Sequence, residues 1–239
     1  MLAPAARKTP RELRHEDTER RVLDAATALV AEDGFSALSM SRLADAVGVT
    51  PGALYRYIGS KDALLARIME AALLDVSAFL ARGVSRLPAS AGPLARVFAL
   101  GFAYRAFARE RPHAFGLLAM SMAEPRVLLR EPASAARVVE RMEAALSPLS
   151  RALSDAAEEG LLHPGDATER TLVVFGLLQG VLQLHKQARH AAVIDLDHLA
   201  RSGLVTLLLG YGAKATRVEA AVALALSNEH REGARGGTK

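Results

Sequence analysis

The sequence predicts an all-α protein, with an N-terminal three-helix domain that carries a helix-turn-helix, followed by a larger helical domain. Three observations predict it. Ala, Leu, Arg and Glu dominate nearly the whole chain, and alternating β-branched runs are absent. Apolar residues recur at helical spacing, as Met40, Leu43, Ala44 and Val47 do. Glycines and prolines fall between these stretches, where helices start and stop. With 239 residues, 51% hydrophobic and 23% charged, the chain is long enough to bury a real core and is not of disordered composition.

Residues 1–15 hold Arg7, Lys8, Arg11 and Arg14 against one acid, Glu12, and read as a flexible basic arm. A first helix is expected from Asp17 or Thr18, either a good N-cap, to Asp33, and Gly34 ends it. Ser39 caps a short second helix that Gly48 breaks. Thr50 caps a third, with Pro51 at its first position, where the missing N–H costs no bond. Ser60 caps a fourth, periodic to about residue 87 and about 40 Å long at 1.5 Å per residue. Further helices are expected over residues 94–109, 112–123, 133–159 with a kink or break at Pro148, 166–189, 195–213 and 216–226. Residues 227–239, with Gly233, Gly236 and Gly237, read as disordered. The expected division is thus an arm (1–15), a helix-turn-helix domain (16–62), a helical ligand-binding and dimerisation domain (63–226) and a tail (227–239).

Several function classes are not expected. There is no cysteine, so disulfides, thiolate zinc sites, Fe–S ligation and a cysteine nucleophile are excluded. This fits a reducing, cytoplasmic compartment. The longest uncharged runs, 171–185 and 202–213, are shorter than the roughly 20 apolar residues that cross a bilayer, and no signal-type run opens the chain. No Walker loop, dinucleotide glycine pattern, G-x-S-x-G or H-E-x-x-H is present. His185 and His190 are five apart and do not stack on one helix face. No cofactor, metal or catalytic residue is therefore expected; a helical enzyme or adaptor domain is the alternative class. Net charge is +4, but residues 1–67 hold ten Lys/Arg and nine Asp/Glu, and the rest twenty and seventeen. Nucleic-acid binding must rest on local arrangement rather than on overall charge.

Residues 39–61 supply that arrangement. Two short helices joined at Gly48-Val49 have the spacing of a helix-turn-helix, whose second helix enters the major groove. With Val49, Leu54 and Ile58 turned inwards, Thr50, Pro51, Gly52, Ala53, Tyr55, Arg56 and Tyr57 lie outside, on a face with no acid. Gly52 and Ala53 are small enough to approach base edges. The hydroxyls of Tyr55 and Tyr57, with Arg56 and Lys61, are donors suited to phosphate oxygens. Ser39 and Lys61 stand at helix N-termini, where free N–H groups favour an anion. The alternative for the two tyrosines is as half-buried anchors.

The stretch GVTPGALYRYIGSKDALL, residues 48–65, and about fifty residues around it resemble the N-terminal domain of tetracycline-repressor-type (TetR-family) transcriptional regulators. Val47 and Ile58 stand where that family often has alanine and phenylalanine. The resemblance implies that Ser41 and Thr50, Pro51, Gly52 and Ala53 approach base edges, with Arg56 contacting a base or phosphate. It implies that Ser39, Thr50, Tyr55, Tyr57 and Lys61 grip the DNA backbone. It implies a ligand-responsive repressor that binds a palindromic operator as a homodimer, and it identifies no ligand.

Two further features belong to the C-terminal part. Residues 172–184 and 199–210 are apolar around most of their circumference, with small residues at Gly176, Gly180, Gly203, Thr206 and Gly210. Together with Leu184 they form the expected dimer interface, a four-helix bundle across a two-fold axis; the core of a monomer is the alternative. The middle helices concentrate aromatics. Some of Phe79, Phe98, Phe102, Tyr104, Phe107, Phe115, Met120 and Met122, with Tyr104, Arg105, His113 and Gln179 as polar groups, are expected to line a pocket for a small apolar effector; ordinary core packing is the alternative.

Overall fold

The computed structural model describes residues 9–124, 127–185 and 195–236. Arg7 and Lys8 of the expected arm, His190 and Gly237 lie outside these residues. Ten α-helices and one 3₁₀ turn make up the described fold, and no strand occurs among the described residues. Contacts group the chain into two compact units, Met1–Ala72 with His113–Val139, and Leu73–Pro112 with Glu140–Lys239. The boundary between the units falls inside a continuous helix, and part of the middle of the chain joins the N-terminal unit.

In the first unit α1 (Pro10–Asp33) packs on the 3₁₀ turn Phe35–Ala37, on α2 (Met40–Val47) and on α3 (Pro51–Ile58). Val22, Ala26 and Val30 stack one turn apart on α1 and are buried against the apolar faces of α2 (Leu43, Ala44, Val47) and α3 (Leu54, Ile58). Gly48 adopts φ +77°, and its N–H donates to the Ala44 carbonyl, the left-handed stop that sets the angle between α2 and α3. The first half of α4 (Lys61–Ser85) completes the packing with Leu64, Leu65 and Ile68. The same unit holds α6 (Pro112–Ala123) from His113 onward and the first turns of α7 (Pro132–Glu158). The Asp62 carboxylate accepts hydrogen bonds from the backbone N–H groups of Arg130 and Glu131, at 2.6 and 2.9 Å, tying the start of α4 to the start of α7.

The second unit is built around α5 (Pro93–Glu110), which is buried along most of its length. It packs on α8 (Ala167–Gln183), α9 (Leu196–Gly210) and α10 (Ala215–Gly236). Phe98 and Phe107 are fully buried on α5, each contributing about 1.5–3 kcal/mol of hydrophobic stabilisation. A Cβ at Gly83 would sit 2.6 Å from the Ala103 Cβ, so glycine permits the close crossing of α4 and α5.

Three elements differ from expectation. The first helix begins at Pro10, so residues 10–15 are helical backbone rather than arm. Proline tolerates the first helical position, and Arg11, Glu12 and Leu13 are helix formers. At the other end α10 continues to Gly236; the side chains of Ser227 and Asn228 bond back to the Leu224 carbonyl instead of breaking the helix. α7 runs unbroken through Pro148. The proline removes the N–H that would bond the Ala144 carbonyl, and the Ser147 hydroxyl donates to that carbonyl at 3.0 Å in its place.

Candidate nucleic-acid interface

α3 presents an outer face made of Thr50, Pro51 and Gly52, all exposed, then half-buried Ala53, Tyr55 at 48% exposure, exposed Arg56 and half-buried Tyr57. Nothing lies within 4 Å of the position a Cβ would take on Gly52. Among the described residues Arg56 makes no hydrogen bond or ion pair. The Thr50 hydroxyl accepts from the Ala53 N–H and the Ser39 hydroxyl from the Arg42 N–H, each at 3.2 Å, so both serve as N-caps. Ser41 is exposed on α2. Neither Tyr55 nor Arg56 is folded inwards, and α3 leads with its small residues.

The head is held together by three cations that donate to backbone carbonyls. Arg21 on α1 donates to the Val47 carbonyl at the end of α2, at 2.9 Å. Arg67 on α4 donates to the Tyr57 carbonyl in the last turn of α3, at 3.1 Å, and also pairs with Glu19. Each cation thus meets the negative end of a helix dipole. Lys61 donates to the Leu38 carbonyl at 2.7 Å. Its ammonium has two further N–H groups for an anion. Arg42, on the exposed side of α2, is paired with Asp33. These clamps were not expected. Their signal was the placing of basic residues one to three turns from helix ends, which has no meaning until the helices pack.

In the second unit the expected pocket set divides. Phe79 and Phe102 line a cleft of about 700 Å³. Phe98 and Phe107 are packed into the core, with Phe107 edge-on to Phe79 at 5.7 Å between ring centres. Tyr104 is buried against Phe107 and Phe175, and its hydroxyl donates to the Gln179 side-chain oxygen. Burial pushes the Tyr104 hydroxyl well above its usual range. His113, Phe115 and Met120 belong to the first compact unit, and they are not among the residues that line this cleft. The chain passes between units at Pro112, a crossing invisible in a run of aromatics. Arginines that the expectation did not include line the cleft, among them Arg82, Arg109 and Arg201.

Of the expected interface residues, Gly176 and Gly180 on α8, Leu184 at its C-cap, and Thr206 and Gly210 on α9 are exposed, beside Leu172 at 54% and Leu209 at 41%. Gly203 is different. A Cβ there would lie 2.8 Å from a Leu177 methyl, so it serves the packing of α9 on α8 within one chain. Asp195 caps α9. The N–H of His198, and then that of Asp197, hold its carboxyl below the usual carboxylate range.

Comparison with known proteins places this architecture. Residues 22–68 match "Bacterial regulatory proteins, tetR family", and residues 97–207 match "Tetracyclin repressor-like, C-terminal domain". The chain belongs to the TetR family. It is 26% identical over 187 residues to the HTH-type transcriptional regulator UidR of Escherichia coli K12, covering 78% of this chain and 86% of that one. A structure of a protein of unknown function from Rhodococcus sp. RHA1 matches with TM-score 0.66 and 26% identity, over 89% of this chain and all of that one. The TetR family transcriptional regulator PfmR from Thermus thermophilus shares the fold with TM-score 0.62 and 22% identity, over 79% of this chain and 97% of that one. Like other members, the chain is a DNA-binding transcriptional regulator with an N-terminal helix-turn-helix. Among the described residues no helix is long and apolar enough to cross a membrane.

Proposed function

We propose that this regulator is a cytoplasmic, non-catalytic repressor that binds a palindromic operator as a homodimer and is released by a small effector. The observation that carries the reading is the outer face of α3, free of acids and led by Gly52 and Ala53, with unpaired Arg56 behind them. In this reading Ser41, Thr50, Pro51, Gly52, Ala53 and Arg56 read bases, while Ser39, Tyr55, Tyr57 and Lys61 hold phosphates. Residues 1–15 contribute a basic segment, 16–62 the reading head, and 63–226 effector binding and dimerisation.

One eight-residue helix makes few contacts, and a two-fold pair doubles them across half-sites about 34–36 Å apart or a multiple of that. The exposed stripe of α8 and α9 supports the pairing. Gly176 and Gly180 carry no side chain to hold a second helix away, and Leu172, Leu184 and Leu209 are apolar area left uncovered in one chain. The cleft has the size of a small-molecule site. An effector that favours one arrangement of the helices around it biases α4, which runs unbroken from Lys61 to Ser85. A coupling of about 1–3 kcal/mol is enough to weaken operator binding.

The test is selection of bound sequences from a random duplex pool. An enriched, inverted repeat with half-sites one or two helical turns apart supports the reading. No enrichment at low salt overturns it, and an enriched site without internal symmetry overturns the dimer.

A further inference from the structure

We infer that the cleft of the second unit takes an organic anion: a carboxylate, sulfonate or phosphate head held by arginines, with an apolar body against Phe79 and Phe102. The inference rests on the reading of the protein as an effector-responsive regulator and names the chemical class of that effector. It departs from the expectation of a small apolar effector.

The lining carries the argument. Arg82 comes from α4 and Arg86 from the turn just past it, Arg105 and Arg109 from α5, and Arg201 from α9. The described lining holds two carboxylates, Glu110 and Asp197. Glu110 lies 3.4 Å from Arg109, and Asp197 lies 3.1 Å from Arg105, whereas neither Arg82 nor Arg201 forms an ion pair among the described residues, so these two guanidinium groups leave the cleft positive. Two consecutive helices and a third from about a hundred residues further along the chain thus bring guanidinium groups to one concave site. Like charges gathered in such a site repel, and concave low-dielectric walls concentrate their field. A bound anion relieves both.

Two of the cations are set for the task. The Arg82 guanidinium lies 4.2 Å over the centre of the Phe79 ring, and Arg105 lies 5.4 Å over Phe102. Stacking holds the planar guanidinium, and a held guanidinium offers parallel N–H groups to two oxygens of a carboxylate or phosphate. Arg105 is also largely buried, at 15% side-chain exposure, so a bond to it is little screened by solvent. The ring edges, with Leu87 and Leu226, give apolar surface beside these heads. The volume, about 700 Å³, admits more than a bare inorganic ion.

The probe is anilinonaphthalene sulfonate, an aromatic anion, compared by fluorescence titration with N-phenylnaphthylamine, which has the same rings and no charge. The full-length protein is used without DNA. The expected result is saturable binding of one sulfonate per chain, weakened by salt, with the neutral amine at least about tenfold weaker. The double variant R82Q/R201Q lowers the sulfonate affinity at least about tenfold. The double variant R141Q/R151Q, which removes equal charge from exposed positions on α7, leaves it within about twofold. R82K/R201K restores part of the loss. Equal binding of the neutral amine, or equal loss in the two arginine-to-glutamine variants, overturns the proposal. Wild-type salt dependence decides the matter even where a variant fails to fold. The two readings fail separately. Sulfonate that binds as described but leaves operator affinity unchanged refutes the effector reading and keeps the anion cleft. Operator release by a neutral compound, with no sulfonate bound, refutes the cleft and keeps the regulator.

Discussion

Replacing Gly52 with alanine sets stability and DNA binding against each other. Gly52 is the second residue of α3, exposed, and a Cβ there meets nothing within 4 Å. The folded protein therefore gains the helix propensity of alanine over glycine, about 0.5–1 kcal/mol, with no steric penalty. For a chain of this size that raises the melting temperature by about 1–4 °C. On DNA the same methyl stands where α3 leads into the groove. The expected cost is about 1–3 kcal/mol per reading head, a loss of roughly 5- to 150-fold. Thermal denaturation followed by circular dichroism gives the first quantity, and fluorescence anisotropy with the selected duplex gives the second. A variant that melts higher and binds as tightly as the parent refutes the placement of the α3 tip against base edges. One that melts lower refutes the open space at Gly52.

Lys61→Ala reduces the slope of log affinity against log salt by about one unit. It also loses the bond to the Leu38 carbonyl, about 1 kcal/mol in a denaturant titration, and an unchanged salt slope would assign the ammonium to that tether alone. Tyr104→Phe leaves the buried Gln179 oxygen without its donor and lowers stability by about 1–3 kcal/mol. Because burial raises the Tyr104 hydroxyl, its share of stability is constant below the ordinary tyrosine value, about pH 10, and falls as pH rises above it, where only the unfolded chain ionises; urea unfolding above and below that pH shows this slope in the parent and less of it in Tyr104→Phe. Asp195 has the opposite sign. Its depressed carboxyl contributes stability above about pH 3.9, lost as pH falls through the depressed value, so the melting curves of Asp195→Ala and the parent converge in acid. Leu172→Glu, at an exposed position of α8, shifts sedimentation to the monomer while the melting temperature of the dilute chain holds; unchanged sedimentation moves the interface elsewhere.

The reading head was legible because its information is local. The spacing of Leu43, Ala44 and Val47, the stop at Gly48, the Thr50-Pro51 start and the lack of acids on α3 all lie within one short stretch, and local rules settle each. The first helix begins at Pro10 rather than at Asp17 or Thr18, since proline suits a first helical position. Where a kink or break is expected at Pro148 the helix is continuous, and the neighbouring Ser147 hydroxyl supplies the bond that the proline removes. The cleft was illegible for another reason. Arg105 and Arg109 are four residues apart on α5, and Arg82 and Arg86 have the same spacing across the end of α4, a signal of basic stripes. Only packing shows that both stripes, and Arg201, face one hollow. His113, Phe115 and Met120 lie close in sequence to the α5 aromatics, but the chain passes into the other compact unit after Pro112.

The carbonyl clamps bear on how this regulator finds its site. Arg21, Arg42 and Arg67 are engaged inside the head, by Val47, Asp33, and Tyr57 with Glu19. A count of basic residues therefore overstates the hold of the head on a bare sugar-phosphate track. Sequence-independent attraction scales with the phosphates neutralised, so in the proposed reading these three arginines add little to it. Discrimination in that reading comes from the fit of the uncharged α3 tip rather than from grip.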